Sequence, residues 1–464
     1  MTTATLPPNR QRVVTFYTLL VSQTLSLIGS RMTTVALSIW VYTHTGQTAP
    51  LLLTAFFNEL PGMLGAGLAG VLVDRWSRKT VMILADVGQA VGSLLLLASF
   101  ALGAFQLWHL YAVALLQGVF AIFQGPAERA TVTLLIPEQH RERANAIVQM
   151  AFPLAGVLAP VVTGLIYTAV GVRGVIAVDL GTFLVAAGVV LFVAIPRPPV
   201  SAEGQAGRGN LLAELRAGLR YLRRRPPLLI FLLYMTFYNF LLNGPLDLSI
   251  PYLLALTGSE ARAGLGLGLA SAGALAGAGL LAVIGGYRPR LRLFLVGALL
   301  NGLMFVLLGT ARSFPWVALA LFLVVLPLPA NGALFTSILQ VKTPPDLQGR
   351  VFALESQLAL LGSTVSFLLV GPLVDRVVQP RVGGPGWQWV APLVGSGPGA
   401  GIGLVLVVTG LLALVATLLV FGVRSVRNME AVLPDYFSLF LFFSLFLLAY
   451  PNGCHVVTCF GSMR

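Results

Sequence analysis

Residues 70–79 read GVLVDRWSRK, and this polar stretch separates two long apolar runs. One run leads into it from Leu51 to Val73, and the other leaves it from Val81 to Gly103. A helix needs about 20 mostly apolar residues to cross the hydrocarbon core of a bilayer. The pattern therefore predicts two membrane-spanning helices joined by a tight polar turn.

The rest of the chain repeats this pattern of apolar runs and short polar turns. Of its 464 residues, 57% are hydrophobic and only 10% are charged, a balance that excludes an ordinary soluble globular protein. Gly and Pro occur even inside the apolar runs, as they do in membrane helices. We predict an all-α integral membrane protein with twelve transmembrane helices.

The formal net charge of +13 is spread unevenly between the two sides of the predicted membrane. The loops opposite the Gly70–Lys79 turn carry few basic residues, namely Arg173, Arg262, Arg312, Arg376 and Arg381. Basic residues are enriched in cytoplasmic loops, so both ends of the twelve-helix core are predicted to be cytoplasmic. The charge thus indicates orientation in a bacterial-type inner cell membrane, and we expect no nucleic-acid partner.

The predicted helices fall into two sets of six. We divide the chain into an N-terminal six-helix bundle (1–196), a cytoplasmic linker with an amphipathic helix (197–227), a C-terminal six-helix bundle (228–427) and a tail without an assigned structure (428–464). Thr45–Gly46 has a counterpart in Thr257–Gly258, as expected of pseudo-symmetric halves. The linker helix could lie on the lipid surface through a stripe of leucines, or only anchor the topology; the stripe is Leu211, Leu212, Leu215, Leu219 and Leu222.

The turn GVLVDRWSRK resembles the loop between helices 2 and 3 of the major facilitator superfamily, G-x-x-x-D-R-x-[GS]-R-[KR]. The resemblance implies that Gly70 permits close helix contact, that Asp74 pairs across the seam between the halves, and that the remaining residues, Arg75, Arg78 and Lys79, hold the cytoplasmic face. It also implies two bundles that rock about a substrate site near the bilayer midplane.

Other stretches are similar to the macrolide-efflux and enterobactin-exporter branch of that family. They are GVLAPVVTG in span 5 (Gly156–Gly164) and GPLVDR at the end of span 11 (Gly371–Arg376). The glycines of span 5 are equally consistent with simple helix packing. Span 4 carries Ala114 where many drug/proton antiporters carry an arginine, so proton coupling by that route is not expected.

Charged residues inside predicted spans require an explanation, because each costs about 2.5–3.5 kcal/mol at a helix centre. Arg31 lies in span 1, Glu59 in span 2 and Asp247 in span 7. They could couple protonation to rocking, with Arg31 pairing with either acid in one state. A fixed ion pair between helices is the alternative, and for Asp247 a structural turn. We expect the other intramembrane acids, Asp86, Glu128, Asp179 and Glu355, to pair with neighbouring arginines.

Polar and aromatic residues near midspan outline a candidate substrate cavity. They are Gln23, Trp40, Gln117, Gln124, Gln149, Tyr238, Asn239, Asn243 and Asn331. An apolar pocket with a few hydrogen-bonding groups suits bulky amphipathic solutes. Each of these side chains could instead make a hydrogen bond between helices.

Together these features predict a secondary transporter that exports a hydrophobic or amphipathic small molecule, drug- or macrolide-like, by proton-coupled antiport. A siderophore or metabolite exporter, or a non-transporting scaffold or sensor of the same fold, is the alternative. We expect a monomer with a small-molecule substrate, protons and the lipid bilayer as partners. We expect no catalytic residues, no metal and no cofactor, and the sequence has no ATP-binding phosphate loop.

Overall fold

The computed structural model describes residues 9–136, 141–193, 211–284 and 289–436. The N half comprises α1 (Asn9–Thr45), α2 (Ala49–Arg75), α3 (Arg78–Ala101), α4 (Leu107–Leu135) and α5 (Arg141–Phe192), and α6 (Leu211–Arg223) lies in the linker. The C half comprises α7 (Pro226–Asp247), α8 (Ser249–Thr257), α9 (Glu260–Ile284), α10 (Arg290–Thr310), α11 (Phe314–Val325), α12 (Leu328–Lys342) and α13 (Pro345–Pro372). A π-helical turn (Leu373–Val378), two short 3-10 turns, α14 (Ala391–Val394), α15 (Ala400–Gly422), α16 (Arg424–Arg427) and α17 (Met429–Val432) complete it.

The described residues contain ten helical segments that are long and apolar enough to cross a membrane, which confirms the all-α membrane fold. One of them, Met150–Phe192, is 43 residues long and belongs to α5. As a continuous helix the 52 residues of α5 would extend about 78 Å, more than twice the thickness of a bilayer core. Gly171 interrupts it with φ 63° and ψ −175°, between the two predicted spans. The total of twelve crossings stays a prediction.

Two predicted spans of the C half are broken in the middle. The predicted span 7 (228–256) is divided at Leu248 between α7 and α8, and the predicted span 10 (316–340) is divided at Leu326 and Pro327 between α11 and α12. Pro251 and Pro327 cannot donate the backbone hydrogen bond that would continue each helix. These breaks explain why a continuous apolar run does not form one straight helix.

We call the end of the molecule that carries α6 the linker end, and the opposite end, where α2 begins and α13 ends, the far end. At the linker end Leu222 of α6 is fully buried, and the Tyr221 hydroxyl donates a 2.7 Å hydrogen bond to the carbonyl oxygen of Lys342. A Cβ on Gly218 would lie 2.9 Å from the carbonyl oxygen of Arg350. Leu222, one of the five leucines of the stripe, therefore packs on protein.

The beginning of the predicted tail is folded against the C half. The Lys342 ammonium donates to the carbonyl oxygens of Glu430 (2.7 Å) and Leu433 (2.6 Å), and it forms an ion pair with Asp435 at 2.7 Å. The Glu430 carboxylate accepts the first N–H groups of α10, from Arg290 and Leu291, at 3.0 Å each. Residues 428–436 thus close the linker end of the C half, and the tail from 437 onward lies outside the described residues.

Helices of the two halves approach backbone to backbone near the far end. A Cβ on Gly264 of α9 would lie 2.3 Å from the carbonyl oxygen of Pro160 and 2.9 Å from the Cα of Gly164, both in α5. Only glycine permits this approach, so packing accounts for the small residues of span 5. This contact and that between α2 and α13 join the halves.

Candidate functional site

The three charged residues predicted inside the membrane lie together between the halves. Glu59 in α2 accepts a 2.5 Å hydrogen bond from the hydroxyl of Ser363 in α13. Asp247, at the end of α7, interacts electrostatically with both Glu59 and Arg31. The Arg31 guanidinium lies 4.2 Å from the centre of the Phe152 ring. Two acids and one arginine from both halves therefore share one region.

The local sequence explains how the two acids reach that region. Pro61 removes one backbone hydrogen bond just after Glu59, and Pro245 and the break at Leu248 place Asp247 at a helix end. Asp247 is exposed and Glu59 is half-buried. Among the described ion pairs, none joins Arg31 to either acid, so the predicted direct pairing does not occur in this state.

Among the described contacts of Asp86, its partners are amide groups, and the side chain of Arg129, one of the expected arginines, lies outside the described part. The Asp86 carboxylate is fully buried and accepts hydrogen bonds from Gln23 (3.0 Å) and Gln124 (3.1 Å). Gln124 also donates to Gln23, at 3.1 Å, and accepts from Gln89 at 2.6 Å. Gln23 and Gln124 thus bind a buried acid inside the N half. The sequence spacing does not reveal this cluster, because Asp86 and its two partners lie on three different helices.

Asp179 likewise has hydroxyl partners where Arg173 was expected. Its carboxylate is 1% exposed and accepts from Ser93 at 2.8 Å and from Ser30 at 3.2 Å. Gln117 donates to the same Ser93 hydroxyl at 3.4 Å. The polar residues of α1, α3, α4 and α5 therefore form two clusters, each around one buried carboxyl group.

The candidate residues of the C half lie on α7 and α12. The Asn239 and Asn243 side chains donate to backbone carbonyl oxygens one turn earlier, at 2.9 and 2.8 Å, and both are half-buried. Tyr238 is 4% and Asn331 is 3% exposed, and they lie close together in the interior of the C half. Asn239 and Asn243 are therefore better placed to meet a solute than Tyr238 and Asn331.

The two remaining candidates for the substrate cavity are Trp40 and Gln149. Trp40 stacks on His44 with ring centres 4.2 Å apart and meets Phe100 and Phe105 edge-on, forming an aromatic cluster at the far end of the N half. The side chain of Gln149 lies outside the described part of the structure. Trp40 therefore packs against other aromatic rings of the N half, and its role in a substrate cavity stays a prediction.

The Gly70–Lys79 turn is described in part. The side chains of Asp74 and Arg75 and the surroundings of Gly70 lie outside the described part. Ser77 caps α3 by accepting the N–H of Thr80 at 3.1 Å, and Arg78 begins that helix. The Lys79 ammonium donates to the carbonyl oxygens of Leu191 (2.7 Å) and Val193 (3.0 Å), so it fastens the start of α3 to the end of α5.

A cavity of about 350 Å³ lies elsewhere, at the linker end between α10, α12 and α17. Its charged lining residues are Arg290, Lys342, Glu430 and Asp435. The Lys342 ammonium already has three oxygen partners there. We therefore place the candidate substrate region between the halves and not in this cavity.

Known proteins resemble the chain in sequence and in fold. The sequence profile of the Major Facilitator Superfamily matches residues 19–366. Macrolide efflux protein A of Streptococcus pyogenes is 26% identical over 370 residues, which cover 78% of this chain and 90% of that protein. Enterobactin exporter EntS of Escherichia coli O1:K1 / APEC is 27% identical over 214 residues, which cover 46% of this chain and 50% of that protein.

A solved structure has the same fold. The bacterial homolog to the human lysosomal transporter Spinster, in an inward-facing and unoccupied conformation, superposes with a TM-score of 0.70 at 17% identity. The superposition covers 90% of this chain and 97% of that one. With the profile spanning most of the sequence and the fold in agreement, the chain belongs to the major facilitator superfamily and resembles its macrolide-efflux and enterobactin-exporter members.

Proposed function

We propose that this protein exports a hydrophobic or amphipathic small molecule by alternating access, in exchange for protons. The observation that carries the proposal is the meeting of Arg31, Glu59 and Asp247 between the halves. Charged groups inside a membrane protein are costly and mark ion or substrate pathways. Similarity to efflux proteins supports the outward direction.

Glu59 is the best candidate for the coupling acid, because its hydrogen bond with Ser363 joins the two halves. Rocking that separates α2 from α13 breaks this bond and leaves the carboxylate without its partner. The carboxylate can then take a proton or meet a cationic solute, and Asp247 offers a second negative charge nearby. Proton and solute would thus compete for one region, as antiport requires. Arg31 supplies a positive charge that partly offsets the negative charges of Glu59 and Asp247.

A single proton provides enough free energy for this exchange. Moving one charge through a potential of about 150 mV releases about 3.5 kcal/mol. At about 1.4 kcal/mol per factor of ten, this sustains a solute gradient of a few hundredfold. One acid that protonates per cycle is sufficient.

We also propose the orientation, with the linker end in the cytoplasm and the far end outside, in a bacterial inner membrane. The basic residues of α6, Arg216, Arg220 and Arg223, and those of the Gly70–Lys79 turn support it. We propose that the protein acts as a monomer, since the site is built from the two halves of one chain.

The test is transport by purified protein in proteoliposomes under an imposed pH gradient. A fluorescent hydrophobic cation and a labelled macrolide serve as substrates, and the wild type is compared with Glu59→Gln. We expect gradient-driven movement of at least one compound, reduced at least tenfold in Glu59→Gln. Glu355→Gln is the matched control, because Glu355 is a half-buried acid of α13 whose hydrogen bond among the described residues comes from its neighbour Ser356.

Each result has a distinct meaning. Movement that survives Glu59→Gln would remove the proton role of that residue and leave a structural bond to Ser363. Failure to move either compound would next be followed by a labelled siderophore, because the resemblance to an enterobactin exporter makes this the second candidate class. Failure with all three compounds under a gradient would contradict the transport proposal and favour a scaffold or sensor.

A further inference from the structure

The chain contains two nearly identical hexapeptides, and the first of them begins the Gly70–Lys79 turn. Residues 70–75 read GVLVDR and residues 371–376 read GPLVDR, which differ only at the second position. The first lies where α2 ends, at the linker end, and the second lies where α13 ends, at the far end. The second copy thus stands on the opposite side of the molecule and in the other half.

In the second copy, the carboxylate of Asp375 lies at the start of α2 in the N half. Asp375 accepts hydrogen bonds from the N–H of Thr48 (2.9 Å), the N–H of Ala49 (2.7 Å) and the Thr48 hydroxyl (2.9 Å). The first N–H groups of a helix have no partner within it, and they attract a negative charge. Such caps normally come from a residue beside the helix, whereas this one is 326 residues away from Ala49 along the chain.

The surroundings of Asp375 are shaped for this contact. The π-helical turn Leu373–Val378 carries the residue, and such turns often occur at functional sites. A Cβ on Gly371 would lie 2.6 Å from the Cα of Ala49, so glycine lets α13 reach α2. Thr48 is only 1% exposed, and charge-assisted hydrogen bonds are strong where water is excluded.

We propose that Asp375 is a latch that holds the far end closed, and that it acts as a positioning residue that sets the balance between the two access states. Opening of the far end must withdraw Thr48 and Ala49 from the carboxylate, so the strength of this cap controls how often the far end opens. Asp375 does not contact the solute in this assignment. Its role in a transport cycle rests on the proposed function, whereas its role in closure does not.

The test measures the width of the far end directly, without a substrate. Spin labels at Leu102→Cys of the N half and Ser313→Cys of the C half, after Cys454→Ser and Cys459→Ser, report the distance by double electron–electron resonance in nanodiscs. Both positions are exposed, at the far end, and outside the latch. We expect the far-end-open population to rise at least tenfold in Asp375→Ala, and by less in Asp375→Asn, because an asparagine oxygen still caps a helix.

Two further variants separate the latch from general damage. Gly371→Ala leaves the carboxylate in place but forces α13 away from α2, so it should open the far end as well. Arg376→Gln changes the neighbouring exposed charge and should leave the distance unchanged. Distances in Asp375→Ala that equal those of Arg376→Gln would overturn the proposal.

The outcome is independent of the transport assay. If no compound is moved but Asp375→Ala opens the far end, the transport proposal fails and the latch stands. If compounds are moved but the distances of Asp375→Ala and Gly371→Ala stay at wild-type values, the transport proposal stands and the latch is wrong.

Discussion

Asp86 places a carboxyl group in the middle of the N half, with amide nitrogens of Gln23 and Gln124 as its described partners. The geometry matters because each carboxyl oxygen receives one donor, so the two glutamines are fixed by one acid. The residue at position 86 therefore determines whether the polar contacts that join α3 to α1 and α4 can form.

At Asp86, replacement by asparagine should destabilise the N half. The new NH₂ group faces an amide donor, and a buried donor left without an acceptor costs about 1–3 kcal/mol. We expect a lower apparent melting temperature of the detergent-solubilised protein, measured by intrinsic tryptophan fluorescence, since Trp40, Trp76 and Trp108 all lie in the N half. Glu355→Gln, which disturbs one bond to a sequence neighbour, should melt like the wild type. Equal melting of Asp86→Asn and wild type would show that the amide contacts contribute no net stability.

Glycine lets helices of the two halves come close together where α9 meets α5. Gly264 of α9 lies against Pro160 and Gly164 of α5, with backbone atoms in direct contact. Gly279, in the same α9, has open space where a Cβ would be. One helix therefore supplies both a test position and its control.

We expect Gly264→Ala to disrupt the seam between the halves. Its methyl group would clash with the Pro160 carbonyl oxygen, and overpacking typically costs about 1–3 kcal/mol, which changes the balance between states about 5- to 150-fold. The measurement is transport rate in proteoliposomes together with apparent melting temperature. Gly279→Ala should match or exceed the wild-type melting temperature, since alanine favours a helix. A Gly264→Ala protein with wild-type rate and melting would contradict the close packing.

The linker helix α6 depends on Tyr221 for its attachment to the C half. Burial raises the pKa of the Tyr221 hydroxyl to about 12, above its usual value near 10. The folded state favours the protonated hydroxyl, so the raised pKa contributes to the free energy of unfolding. This stabilisation is fully present below about pH 10 and is lost as the pH rises through about 12. Tyr221→Phe removes the bond to Lys342, worth about 1 kcal/mol, and should speed amide exchange in α6 about fivefold. Hydrogen exchange with mass spectrometry measures this rate, and unchanged exchange would mean that buried Leu222 alone attaches the helix.

The whole molecule combines features that its sequence predicts well with others that it cannot specify. Bilayer thickness fixes the length of each apolar run. The all-α membrane fold and the turn before Arg78 can therefore be predicted from the sequence. The partners of Asp86 and Asp179 depend on which helices become neighbours, and apolar runs carry little information on that. Trp40 shows the same limit, because an aromatic residue in an apolar run fits a cavity and a packed cluster equally well. Arg31, Glu59 and Asp247 can be singled out from the sequence because charged residues inside the apolar runs are few.

Orientation is testable on the intact molecule. With Cys454 and Cys459 replaced by serine, Gln47→Cys at the far end should react with a membrane-impermeant maleimide in intact cells. Arg216→Cys in α6 should react only after permeabilisation, because α6 is predicted to be cytoplasmic. Both side chains are exposed, so lack of labelling cannot come from burial. The reverse pattern would invert the proposed direction of transport.

The glycine contact between α5 and α9 has a mechanical consequence. From Gly164 to the start of α5 at Arg141, the helix forms a lever about 35 Å long, with its fulcrum displaced toward the far end. A tilt of about 10° at that fulcrum moves the other tip by about 6 Å. A small rotation can therefore produce a wide aperture on one face and a narrow one on the other. Unequal lever arms would thus open the linker end more widely than the far end for the same rotation.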